Sequence, residues 1–107
     1  MFVKVCNISQ VDDGSLARFD VQNKAILVAR MGKKFFASDA SCTHEEADLS
    51  LGLFFDGILT CPLHTAKFEI ESGKVLDGPN GDDPASIRAL RTFKTELRGG
   101  ELWADLP

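Results

Sequence analysis

The chain has 107 residues, enough for one domain with a real core, and its 44% apolar content excludes a disordered polymer. Twelve Lys and Arg against sixteen Asp and Glu leave a formal charge of −4, which argues against non-specific nucleic-acid binding. No run approaches the ~18 apolar residues of a membrane span. The start lacks the pattern of a secretory signal, so a cytoplasmic protein is expected.

Along the chain, short β-branched or aromatic runs are broken by Gly, Asp, Asn and Pro, which predicts an all-β domain. Met1–Cys6 reads as a strand, in which Cys6 alternates with Val3, Val5 and Ile8 as a buried structural thiol. Ala25–Ala29 and Lys34–Ala37 flank Met31-Gly32, a hairpin. Ala47–Leu51 is the one candidate helical turn. Phe54-Phe55 and Ile58–Thr60 flank Asp56-Gly57, a strong two-residue turn because Gly tolerates positive φ. Lys67–Ile70 and Lys74–Leu76 flank Ser72-Gly73. The stretch Asp77–Pro84, with two prolines and two glycines, reads as a rigid loop able to cover a cofactor. Thr92–Leu97 and Glu101–Ala104 then flank Gly99-Gly100. Trp103 and the phenylalanines match strand alternation and are assigned to core packing.

Cys42-Thr43-His44 follows the strand at Phe35–Ala37, and Cys61-Pro62-Leu63-His64 follows the strand at Ile58–Thr60. These motifs use both histidines and two of the three cysteines in the chain. Two thiolates and two imidazoles on two loops suit a 2Fe–2S centre in which two His replace two Cys on one iron. Cys42 and Cys61 are assigned to one iron, His44 and His64 to the other, with the imidazoles facing solvent. Neutral imidazole in place of thiolate raises the reduction potential relative to an all-Cys cluster. The same four ligands also suit a structural zinc site, although Cys-x-His is tighter than the usual spacing within a zinc pair. Three cysteines, two of them in the motifs, make a disulfide framework improbable.

These motifs, with Leu49-Ser50-Leu51-Gly52, Asp56-Gly57, Lys67-Phe68 and Ser72-Gly73, make the chain resemble a Rieske ferredoxin of bacterial aromatic-ring dioxygenase systems. The resemblance spans nearly the whole chain and implies a single Rieske domain over residues 1–107. It implies an all-β fold of three stacked antiparallel sheets, with one 2Fe–2S cluster at the tip of two loops and the Gly78-Pro79 loop shielding it. It further implies a monomeric electron carrier without a substrate site of its own. Its partners would be an NAD(P)H-dependent flavoprotein reductase and a terminal oxygenase of aromatic hydrocarbon catabolism. Other roles consistent with the residues are a small Rieske subunit of another soluble reductase or monooxygenase, a redox sensor, and a zinc-stabilised interaction module.

High-potential Rieske proteins carry a disulfide and two hydroxyl donors near the cluster. The matching positions here are Ala47 and Leu63 for the disulfide, and Ala66 and Phe68 for the hydroxyls. Leu63, between the ligands, reads as an apolar cover that excludes water. Many ferredoxins of this type place Gly after the first His, whereas Glu45, Glu46 and Asp48 follow here, which reads either as a solvated loop or as an acidic docking rim. Hydrogen bonds to sulfur stabilise the reduced state, so their loss lowers the potential. A redox titration should therefore place the midpoint near the lower end of the roughly −150 to +300 mV Rieske range.

Overall fold

The run Ala25–Ala29 has no polar residue to turn toward water, so a strand built from it needs cover on both faces. The computed structural model, which describes residues 1–43 and 45–107, supplies that cover with three antiparallel sheets. The first strands are β1 (Phe2–Asn7), β2 (Leu16–Val21), β3 (Lys24–Met31) and β4 (Lys34–Asp39). Four short ones follow, β5 (Leu53–Phe55), β6 (Ile58–Thr60), β7 (Lys67–Glu69) and β8 (Val75–Asp77). The chain ends with β9 (Thr92–Phe93), β10 (Thr95–Arg98) and β11 (Glu101–Asp105).

The central sheet has the order β2-β3-β4-β9, the terminal sheet β1-β11-β10, and the loop-bearing sheet β5-β6-β7-β8. Side chains alternate across a strand, and β3 serves two cores in this way. Leu27 and Ala29 pack with Leu59, Phe68 and Ile70 of the loop-bearing side. Ile26 and Val28 pack with Cys6, Leu102 and Ala104 of the terminal sheet. The three expected layers are therefore present, with the central sheet between the other two.

Asp56 and Gly57 have φ of 51° and 77°, and Phe55 pairs with Ile58, which is the tight hairpin expected there. Strand β2 was not foreseen, because its turn to β3 uses Gln22 and Asn23 at φ 51° and 64° without a glycine. Thr92–Leu97 is not one strand. It breaks at Lys94, whose carbonyl accepts from Asp105 N–H at 2.9 Å, so β9 stays in the central sheet while β10 joins the terminal one. Gly73 has φ 78° and lies so close to the Leu90 carbonyl that a Cβ would sit 1.9 Å from it. Only glycine fits that turn.

Cys6 is a buried free thiol in the second core, and burial pushes its pKa up. Two aromatic assignments fail. Trp103 alternates outward between the buried Leu102 and Ala104, where Arg98 stacks 4.4 Å from its ring. Phe55 is 83% exposed, because β5 is the edge of its sheet and nothing packs over that face. Phe68, by contrast, is fully buried beneath the loops. Phe68→Ala should cost about 3–5 kcal/mol, read as a lowered denaturant midpoint for both fold and visible chromophore.

Candidate metal centre

The two motif loops are built alike. Cys42 N–H donates to the Ala47 carbonyl at 3.0 Å, and Cys61 N–H donates to the Ala66 carbonyl at 2.8 Å. Each bond folds its loop back so that the cysteine points inward; Cys42 is 5% and Cys61 1% exposed. Leu49 N–H to the Ala40 carbonyl, 2.8 Å, closes the base of the first loop. Gly52 then crosses the second loop so closely that a Cβ would meet the Thr60 carbonyl at 2.1 Å and Pro62 Cδ at 3.3 Å. A side chain there would push the two loops apart.

The Cys42 and Cys61 thiols are close enough to act on one another, and the Leu63 N–H is directed at the Cys61 sulfur. Burial foremost, opposed by the Leu63 bond and reinforced by Cys42 and the Glu45 charge, pushes the Cys61 thiol up to about 12. Such a thiol becomes thiolate only against a cation, which is what iron supplies. His64 lies at the outer end of the second loop with its side chain 51% exposed, and its Nδ1 is 2.6 Å from Glu45 Oε1. The loop reaches this shape through two consecutive non-glycine residues at positive φ, His64 at 64° and Thr65 at 60°. Such conformations cost of order 1–3 kcal/mol each and persist only where their surroundings over-determine them.

The Asp77–Pro84 stretch supplies part of that constraint. The Asn80 N–H donates to the His64 carbonyl at 2.5 Å, which clamps the second loop. The Thr43 hydroxyl donates to the Arg88 carbonyl at 2.7 Å and ties the first loop to the following segment. Thr43, Thr65, Asn80 and Arg88 were not singled out from sequence. Thr65, Asn80 and Arg88 act through backbone groups, which leave no side-chain signature, and Thr43 acts through a hydroxyl whose backbone partner the sequence does not reveal.

Of the four expected ligands, the structure brings Cys42 and Cys61 together and sets His64 farther out on the second loop against Glu45, so that among the described residues no three such side chains are grouped to hold a metal, while His44 lies outside the described residues. Two buried thiols close together and an imidazole presented at the surface fit a cluster held by sulfur inside and nitrogen outside. Ala66 and Phe68 are fully buried and offer no hydroxyl to sulfur. Leu63 is 47% exposed, so it stands at the surface rather than between the loops. The expected acidic rim divides. Glu46 is exposed, whereas the Asp48 carboxylate accepts from Ser50 N–H at 2.9 Å and Ser50 Oγ at 2.6 Å and pairs with Arg18 at 3.4 Å.

A three-layered antiparallel β domain with paired Cys and His loops defines a class of iron–sulfur protein. The chain belongs to the Rieske [2Fe-2S] domain family, whose model matches residues 1–94. It is 34% identical over 103 residues to the ferredoxin component of biphenyl 2,3-dioxygenase from Rhodococcus jostii (strain RHA1), covering 96% of this chain and 91% of that protein. The 3-phenylpropionate/cinnamic acid dioxygenase ferredoxin subunit of Escherichia coli (strain K12) is 33% identical over 106 residues, with 98% and 93% covered. Among solved structures, the ferredoxin of carbazole 1,9a-dioxygenase from Nocardioides aromaticivorans IC177 superimposes with a TM-score of 0.85 at 26% identity, covering 97% of this chain and 96% of that one. The ferredoxin solved in a complex of reduced oxygenase and oxidized ferredoxin in carbazole 1,9a-dioxygenase gives 0.80 at 30% identity, with 96% and 91% covered. The protein is a Rieske electron carrier with one 2Fe–2S cluster per chain, which excludes the zinc reading.

The Ser50 bonds foremost, with the Arg18 charge helping, hold the Asp48 carboxyl below its usual pKa. The unfolded chain therefore binds the proton more readily, and the stabilisation is lost as pH falls. Asp48→Asn should lower the denaturant midpoint at neutral pH by about 1 kcal/mol equivalent. That deficit should be full above about pH 3.9, the value for an unfolded carboxyl, and shrink below it.

Proposed function

We propose that Cys42 and Cys61 bind one iron of the cluster, that His44 and His64 bind the other, and that the chain as a whole, 1–107, works as a single cytoplasmic carrier between a reductase and a terminal oxygenase. The observation that carries this reading is the pair of matched loops. Their buried thiols lie close together, and the second loop sets an imidazole farther out at the surface. When bound, the cluster supplies one reversible electron at a time.

Each residue around it has a separate task. The cysteines hold the inner side in a setting closed to water, and the Leu63 N–H steadies the Cys61 sulfur. His64 stands on the outer side, where a partner can approach closely. Phe68, fully buried, fills the space beneath the loops and keeps them from settling inward.

A carrier without a substrate site of its own is supported by the relatives, which are named ferredoxin components or subunits of dioxygenases. The groove beside Cys42 is lined by the Lys24–Asp39 ion pair, Arg88 and Arg91. An aromatic-ring dioxygenase as the system served is supported by the names of the relatives, ferredoxin components of biphenyl and 3-phenylpropionate/cinnamic acid dioxygenases. The electron source would be an NAD(P)H-dependent flavoprotein, which suits a centre lacking hydroxyl bonds to sulfur.

Electron paramagnetic resonance of the reduced protein tests the ligand assignment. Wild type should show an average g below that of all-Cys 2Fe–2S clusters. His64→Cys should raise that average and lower the midpoint potential, because thiolate stabilises ferric iron better than imidazole does. Cys61→Ser should leave a folded protein depleted of iron and acid-labile sulfide. An unchanged signal in His64→Cys would remove His64 from the ligand set.

A further inference from the structure

The outer face of the loop-bearing sheet carries an apolar stripe that the electron-transfer assignment does not use. Leu51 is 74% exposed, Leu53 72% and Phe55 83%. Leu53 and Phe55 alternate along β5 and so share one face, Leu51 stands exposed on the helical turn just before it, and Phe54 turns inward to the core. Strand β5 is the sheet edge, where exposed apolar residues normally give way to charged ones that prevent unwanted association. No Lys, Arg, Asp or Glu interrupts Leu51–Phe55. Exposed apolar residues grouped in this way mark an interaction site.

The stripe runs into the cluster end of the molecule. Gly52, between Leu51 and Leu53, lies against the Thr60 carbonyl and Pro62 of the second loop. Pro62 is exposed, and Leu63 beside it is 47% exposed. A protein that approaches His64 closely enough to exchange an electron therefore meets Leu63 and Pro62 first and Leu51 and Leu53 next. Glu46 lies exposed on the other motif loop.

Building on the carrier reading above, we infer that Leu51, Leu53 and Phe55 form the docking surface for the terminal oxygenase. The matching surface would be an apolar patch flanked by basic side chains that face Glu46. An oxygenase is favoured as occupant because a relative 30% identical to this chain is solved in complex with one. Charge attraction alone is screened by salt, whereas a lasting association needs a dry apolar contact. A second copy of this chain is the rival occupant, since two β5 edges can pair.

The test compares the double variant Leu53→Ser/Phe55→Ser with wild type and with Leu97→Ser, a 51% exposed leucine on β10 in the terminal sheet. All are used as cluster-loaded proteins, with an aromatic-ring oxygenase that wild type reduces. The double variant should keep the wild-type resonance spectrum and potential, while its KM as electron donor to the oxygenase rises about tenfold or more and kcat at saturation holds. Leu97→Ser should match wild type. An unchanged KM overturns the inference, as does an effect confined to reduction by the flavoprotein. A wild-type dimer in sedimentation that the double variant dissolves, with KM unmoved, assigns the stripe to self-association and overturns it too. If the double variant loses its cluster, Leu53→Gln alone is measured against the same outcomes. If wild type carries a normal cluster yet reduces no such oxygenase, the functional reading fails, and this inference with it.

Discussion

Two backbone hydrogen bonds, from Cys42 to Ala47 and from Cys61 to Ala66, shape both motif loops and bring their thiols close together. Neither loop could hold its cysteine inward alone, since a short irregular segment has no periodic ladder of its own to satisfy its buried backbone groups. The small alanines that accept these bonds are themselves buried, so the loops lie flat against the core beneath them. Gly52 fastens one loop to the other at a spacing that no side chain tolerates.

The centre is therefore asymmetric in rigidity as well as in chemistry. Its sulfur side is sealed by Leu49, Leu59, Ala66 and Phe68, all fully buried, and has almost no freedom to adjust. The outer end of the second loop stands on a strained turn through His64 and Thr65, held from outside by the Asn80 N–H. An electron carrier gains from this division. A dry, fixed interior keeps reorganisation on electron gain or loss small, and an exposed imidazole keeps the path to a partner short. Strain at the tip is offset by the clamp and by burial underneath.

The three-layer arrangement explains how so small a domain sustains such a site. The central sheet is covered on both sides, so one strand contributes to two cores and little apolar area is wasted. The terminal sheet pairs the first and last strands and anchors the layer farthest from the loops, where Cys6 sits in a separate core from Cys42 and Cys61. Polar groups near the loops are largely committed to shape. Asp48 serves the turn after the first loop rather than a partner, because Ser50 and Arg18 occupy its oxygens.

The Asp56-Gly57 hairpin, the all-β class and the family were legible in the residues alone. Each rests on short-range chemistry: positive φ for the turn, alternation for the strands, the paired Cys and His motifs for the family. The fate of individual side chains was decided by the assembled sheets. Thr92–Leu97 is locally a good strand, and only the need to pass from central to terminal sheet breaks it at Lys94. Phe55 and Trp103 carry the pattern of core residues, yet both face outward, because burial depends on whether another layer lies across that face. The clamp at Asn80 and the tether at Arg88 were equally invisible, since Asn80 and Arg88 take part in them through backbone atoms that every residue type shares.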